Sequence, residues 1–191
     1  MKKILLSCMA LLLSIVLFTG CGAVMEGFKE GLQEGLGQTE TANTEGVQTV
    51  TSYESTLSID FPKSWKEEAL NDVATIQMAR TSKEQYLIVI EESSEDFDDD
   101  FTASDYIEII MATMSGAVGA SETPVIKDVV AGGIAAKQFE LSGSVEKIKV
   151  KYLVTCLEND GVFHQFTAWS LQSKYDEAKP VFDSILEGIS F

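Results

Sequence analysis

The chain predicts one α+β domain on a mostly antiparallel β-sheet flanked by helices, preceded by a leader and a linker. Three observations predict it. Segments of strand character come in runs, interrupted by one helix and closed by another, with no alternating βαβ units. Asn159-Asp160-Gly161 sits between two apolar stretches as a hairpin turn. A hydrophobic content of 45% over 191 residues suffices for one sound core and falls short of two.

Residues 49–61 alternate as a strand or a bent pair of strands, ending at Pro62. Two further strands, 74–79 and 86–91, flank a polar connection at 80–85. The acidic stretch 91–100 follows as a loop. Thr102 to Asp105 supply N-cap candidates for a helix from 103 to about 117. Residues 124–130 and 134–142 read as strands about a turn at Ala131-Gly132-Gly133. From Lys147 to Leu157 the alternation is strong. Ile148, Val150, Tyr152 and Val154 share one face, with Lys147, Lys149 and Lys151 opposite. Residues 162–171 complete that hairpin. A last helix spans about 174–188 with Val181, Phe182, Ile185 and Leu186 as its apolar stripe; Pro180 predicts a start or a kink there.

Asp60-Phe61-Pro62-Lys63-Ser64-Trp65 resembles the F-x-P-x-x-W opening of PsbP-like domains, including the DcrB-type bacterial lipoproteins. Gly132-Gly133-Ile134-Ala135, the Asp160-Gly161 hairpin and the closing Ile185-Leu186-Glu187-Gly188-Ile189-Ser190-Phe191 match in the same order. The resemblance covers about residues 50–191. It implies an α/β/α sandwich and a superfamily of accessory and binding proteins without a shared catalytic site. No functional residue is carried over from it.

The first residues answer a different question. Met1-Lys2-Lys3 is a positive n-region, residues 4–18 an apolar h-region, and Thr19-Gly20 the small residues a signal peptidase requires. Phe18-Thr19-Gly20-Cys21 resembles the bacterial lipobox, with Phe18 where Leu is more usual. That resemblance implies a diacylated Cys21 as the first residue of the mature chain, held firmly in a membrane by two or more acyl chains. An uncleaved signal anchor is the competing reading, because no charge intervenes before Glu26. A secreted soluble protein is the third. The organisation expected is a signal peptide at 1–20, a lipidated tether at 21–48 and the domain at 49–191, on the extracytoplasmic face of the cell membrane. In a cell with two membranes, Gly22 in place of Asp leaves the outer membrane open.

The tether is rich in Gly, Glu, Thr and Gln, and a near-repeat at 26–37 aligns Phe28, Leu32 and Leu36 on a helical stripe. Its three glycines, each worth about 1 kcal/mol against a helix, favour a flexible linker. Cys8 leaves with the leader and Cys21 goes to lipid, so Cys156 remains alone and no disulfide forms within the mature domain.

A formal net charge of −16 excludes nucleic-acid binding and adsorption to an anionic bilayer by bulk charge. Seven acids between Glu91 and Asp100 offer oxygen ligands, so Asp96, Asp98 and Asp100 are Ca²⁺ candidates. They fail as an EF-hand, since Phe101 replaces the turn glycine and Ile107 the bidentate Glu. A solvated acidic loop is the rival. No other cofactor is predicted. His164, the only histidine, would have to serve any hydrolase built on a Ser-His-acid arrangement. A three-residue turn at 159–161 would set it opposite Cys156, and a two-residue turn would not. Lys147, Lys149 and Lys151 are candidates for docking an acidic partner; protection of a sheet edge, or pairing with acids such as Glu140, is the alternative. Trp65 and Trp169 read as core residues. The expectation is a non-catalytic binding module of the cell envelope acting through a protein partner, with an ion- or ligand-binding protein as its rival.

Overall fold

The computed structural model describes residues 46–120 and 122–191. The leader, Cys21 and the near-repeat at 26–37 lie outside the described residues. The stretch predicted at 49–61 is the bent pair: β1 (Val47–Thr51) and β2 (Ser58–Pro62) form a hairpin with Val50 opposite Ile59. There follow β3 (Lys66–Glu67), β4 (Ile76–Arg80), β5 (Gln85–Ser93), helix α1 (Ala103–Ala117), β6 (Lys127–Ala131), β7 (Ile134–Val145), β8 (Ile148–Asn159), β9 (Val162–Leu171), helix α2 (Tyr175–Glu187) and β10 (Ile189–Ser190). Seven strands make one antiparallel sheet in the order β3-β4-β5-β9-β8-β7-β6, and β1-β2-β10 make a second, small sheet.

The architecture has three layers. Helix α1 buries Tyr106, Ile107, Ile110 and Met114 against one face of the large sheet, where Ile88, Ile90 and Val154 meet it. Helix α2 and the small sheet together cover the other face, packing Phe61, Trp65 and Phe182 on Leu87, Leu153 and Phe166. The α+β class expected from the sequence, with a mostly antiparallel sheet flanked by helices, is what the chain adopts. Trp65 is fully buried between Phe61 and Phe182, and Trp169 stacks on Tyr86 at 5.3 Å.

Local chemistry sets several boundaries. The Thr102 hydroxyl accepts from the Asp105 N–H at 3.3 Å while Asp105 accepts from the Thr102 N–H at 2.9 Å, a reciprocal cap that starts α1 where predicted. At its far end the helix presses on β7. A Cβ at Gly143 would lie 2.3 Å from Val118, so only glycine permits the approach. Both long hairpins close through two-residue turns with φ positive at each residue, Glu146-Lys147 and Asp160-Gly161.

Four expectations are corrected. Strand β5 runs past Glu91 to Ser93, so Glu92 and Ser93 also belong to the sheet and the acidic loop begins after them. Helix α2 starts at Tyr175 and carries Pro180 inside it. It thereby forgoes a bond to the Asp176 carbonyl, because Tyr175, Ala178 and Phe182 bury a common face. Strand β8 lies between β7 and β9, so its lysines guard no sheet edge, and Lys147 stands in the turn. Leu153, Thr155 and Leu157 are buried as thoroughly as the opposite face, since both sides of this strand are covered.

Candidate functional site

The sheet register builds a polar cluster that the sequence did not announce. Pairing of β5 with β9 sets Glu91 opposite His164. Both face the layer of α2 and the small sheet, and His164 Nδ1 lies 3.1 Å from Glu91 Oε1. Their side chains are 1% and 2% exposed. From the loop between β1 and β2, the hydroxyls of Ser52 and Ser55 both donate to the Glu91 carboxylate. The Phe191 ring stands edge-on to His164, with centroids 5.0 Å apart.

Burial alone would raise the Glu91 carboxyl. Hydrogen bonds from His164, Ser52, Ser55 and Thr75 outweigh it and bring the carboxyl from its ordinary 4.5 down to about 2. The neighbouring Glu92 points to the α1 face and accepts the Tyr106 hydroxyl at 2.6 Å. Its carboxyl is raised, because burial and the nearby Asp96 charge prevail over that single bond.

Chemically, this is a structural knot and not a hydrolytic triad. A nucleophile–base pair needs a hydroxyl on the imidazole. Here the two serines engage the carboxylate and the imidazole is shut away from solvent. The two-residue turn places His164 opposite Leu157 and Cys156 opposite Gln165, on opposite faces of the sheet. Burial and the Glu92 charge push the Cys156 thiol far up, which keeps it an inert core thiol.

The remaining candidates are scattered. Asp96, Asp98 and Asp100 are all exposed, because Phe97 and Phe101 of the same loop turn inward and stack at 4.5 Å over Phe163 and Tyr106. Among the described residues no three His, Cys, Asp or Glu side chains converge as a metal site. Lys151 pairs with Glu140 at 2.7 Å and lies 4.3 Å over the Tyr175 ring. Lys147 and Lys149 are exposed at and beside the β7–β8 turn. A groove beside β6 is lined by Val125, Lys127, Gln138, Phe139 and Glu140; the Gln138 amide there is spent on Thr155 at 2.9 Å. Among the described residues no helix is long and apolar enough to cross a membrane.

No protein-family model matches the chain, and none of the curated proteins matches it. Similar solved structures include cyanobacterial PsbP of Synechocystis sp. PCC 6803, at TM-score 0.54 and 16% identity over 81% of this chain and 98% of that one. LpqN of Mycobacterium tuberculosis, described as involved in cell envelope biogenesis, gives 0.51 and 14% over 78% and 91%. The Saccharomyces cerevisiae Ran-binding protein Mog1p gives 0.53 and 7% over 77% and 96%. At these identities the likeness establishes the fold, which is PsbP-like.

Proposed function

We propose that this protein is a lipid-anchored, extracytoplasmic lipoprotein of the DcrB type whose folded domain acts as a non-catalytic binding module for a protein partner in the cell envelope. One observation carries the non-catalytic half. The only histidine is 1% exposed and tied to Glu91, while the nearby serines serve that same carboxylate. A general base must reach its substrate's proton, and this one is enclosed. The anchoring half rests on Phe18-Thr19-Gly20-Cys21 and the apolar run before it. A PsbP-like fold, and an envelope role for the LpqN protein that shares it, support the placement in the envelope.

Metabolic labelling with a tritiated fatty acid tests the anchor. The wild-type protein is expected to take up label and pellet with membranes, and Cys21→Ser to do neither. Label retained by Cys21→Ser would refute the lipoprotein reading. Replacing His164 with Gln tests the enzyme: loss of a measurable hydrolysis in that variant would restore it.

A further inference from the structure

Four segments meet at one end of the molecule: the loop between β1 and β2, the end of β5 with its acidic loop, the β8–β9 turn, and Phe191. The register puts them there. Glu91 and His164 lie near the ends of paired strands, Ser52 and Ser55 reach them from the loop, and the Ser94 N–H donates to the Gly161 carbonyl at 2.8 Å. No Lys or Arg occurs in residues 50–61, 91–108, 156–164 or 185–191. Glu54, Glu95, Asp98, Asp100, Glu158 and Asp160 make this end strongly anionic.

The same end carries the two exposed large aromatics found among the described residues, Tyr53 at 74% and Phe191 at 36%. Neither belongs to a slack segment. Tyr53 follows Ser52, whose hydroxyl is fixed on Glu91 and whose N–H donates to the Leu57 carbonyl at 2.8 Å; Phe191 rests on His164. Aromatic side chains presented in a fixed position on a charged surface are the anchors that protein interfaces favour, because little ordering entropy remains to be lost.

Of the lysines, Lys137 on β7 lies near this end, opposite Cys156, and it is paired with Asp128 at 2.5 Å. Lys83, Lys147, Lys149 and Lys174 lie at or beyond the opposite ends of β4, β8 and β9. Strand β8 has 12 residues, so the two ends are separated by about 40 Å at roughly 3.3 Å per residue. Charges are screened beyond about 10 Å at ordinary ionic strength. An approaching partner therefore meets the anionic end without interference from those four lysines.

We propose that this end is the docking surface, and that its partner is a basic protein segment: Tyr53 and Phe191 supply the apolar and cation–π contacts, and the surrounding carboxylates supply steering and register. A second copy of the chain is disfavoured, since it would bring two anionic ends together, and an anionic membrane surface is repelled for the same reason. The inference rests on the reading above that the partner is a protein.

The test uses the full-length protein in its native membrane, with the photocrosslinker p-benzoylphenylalanine in place of either Tyr53 or Lys149, both exposed. From position 53 the crosslinked peptide, sequenced by mass spectrometry, is expected to come from a Lys/Arg-rich segment. Its yield is expected to fall roughly tenfold in Glu54→Lys/Asp98→Lys and in 0.5 M salt. A partner captured from position 149 and not from 53 overturns this surface and leaves the binding function standing. Capture from 53 of a segment without basic residues, or without salt dependence, overturns the chemistry proposed. No protein captured from either position, with the chain still anchored, overturns both readings.

Discussion

Glu91 and Glu92 are the same residue type, adjacent on one strand, and their carboxyls move in opposite directions. Strand geometry sends them to opposite faces of the sheet. Glu91 enters a buried site already furnished with two serine hydroxyls and an imidazole, and its charge is stabilised there to about 2. Glu92 enters an aromatic layer, where one tyrosine hydroxyl does not offset burial and the Asp96 charge, and its charge is penalised. Burial therefore does not decide the fate of an acid. What decides it is the number of donors the fold delivers to that side.

Removing each carboxylate is the strongest test of that contrast. Glu91→Ala leaves Ser52, Ser55 and His164 without their acceptor, and a buried donor so abandoned costs about 1–3 kcal/mol. Part of the loop will turn to water, so a net loss of about 3–5 kcal/mol is expected in urea denaturation. Glu92→Gln keeps an acceptor for Tyr106 and removes a penalised charge, so its effect is expected within about 1 kcal/mol of zero. Equal losses at the two positions would end the comparison.

The pH dependence separates them next. A carboxyl lowered in the folded state stabilises above its unfolded value, and that contribution disappears as pH falls through the folded value. For Glu91 the window runs from 4.5 down to about 2, and the full contribution is about 3 kcal/mol at 1.36 kcal/mol per unit. Glu92 has the reverse sign. Its raised carboxyl weakens the fold as pH rises above 4.5, and that penalty is relieved on acidification toward 4.5. The gap in stability between wild type and Glu91→Gln is expected to stay constant above pH 5 and to close below it. Between wild type and Glu92→Gln, any gap is expected to change only above pH 4.5. Melting curves from pH 2 to 8 on the three proteins read both windows.

The reason this contrast was hidden in the sequence is physical. Helix α1 was legible because its cap is local: Thr102 and Asp105 satisfy one another within one turn. The β8–β9 hairpin was legible because Asp160-Gly161 tolerates positive φ. The three-layer fold followed from the order of such pieces. The Glu91–His164 contact depends instead on the register between distant strands and on a loop from a third, so no short window of residues contains it. An acid pair opening an acidic run reads as solvated, and that reading cut β5 short. The Lys147–Lys151 alternation was real along the chain, yet burial of β8 on both faces and the turn at Glu146-Lys147 removed its meaning as one stripe. Periodicity reports a face; it does not report what stands opposite.

Deleting single hydroxyls gives the smallest and sharpest distinction. Ser55→Ala takes one of the two serine hydrogen bonds from the Glu91 carboxylate, and Tyr106→Phe takes the tyrosine bond from Glu92 while keeping the ring. Each is expected to cost about 1 kcal/mol at pH 7, the usual net worth of a hydrogen bond. Their pH dependence should differ. In Ser55→Ala the charge remains supported by Ser52 and His164, so the cost persists down to pH 5 and the acid transition moves upward. In Tyr106→Phe the lost bond leaves the Glu92 charge still less favoured, so its carboxyl rises further and protonation restores part of the loss as pH falls toward 4.5. Stability lost by Tyr106→Phe in equal measure at pH 7 and pH 4.5 would show that the hydroxyl does not hold Glu92 in its charged form, and the two faces would then differ in packing alone.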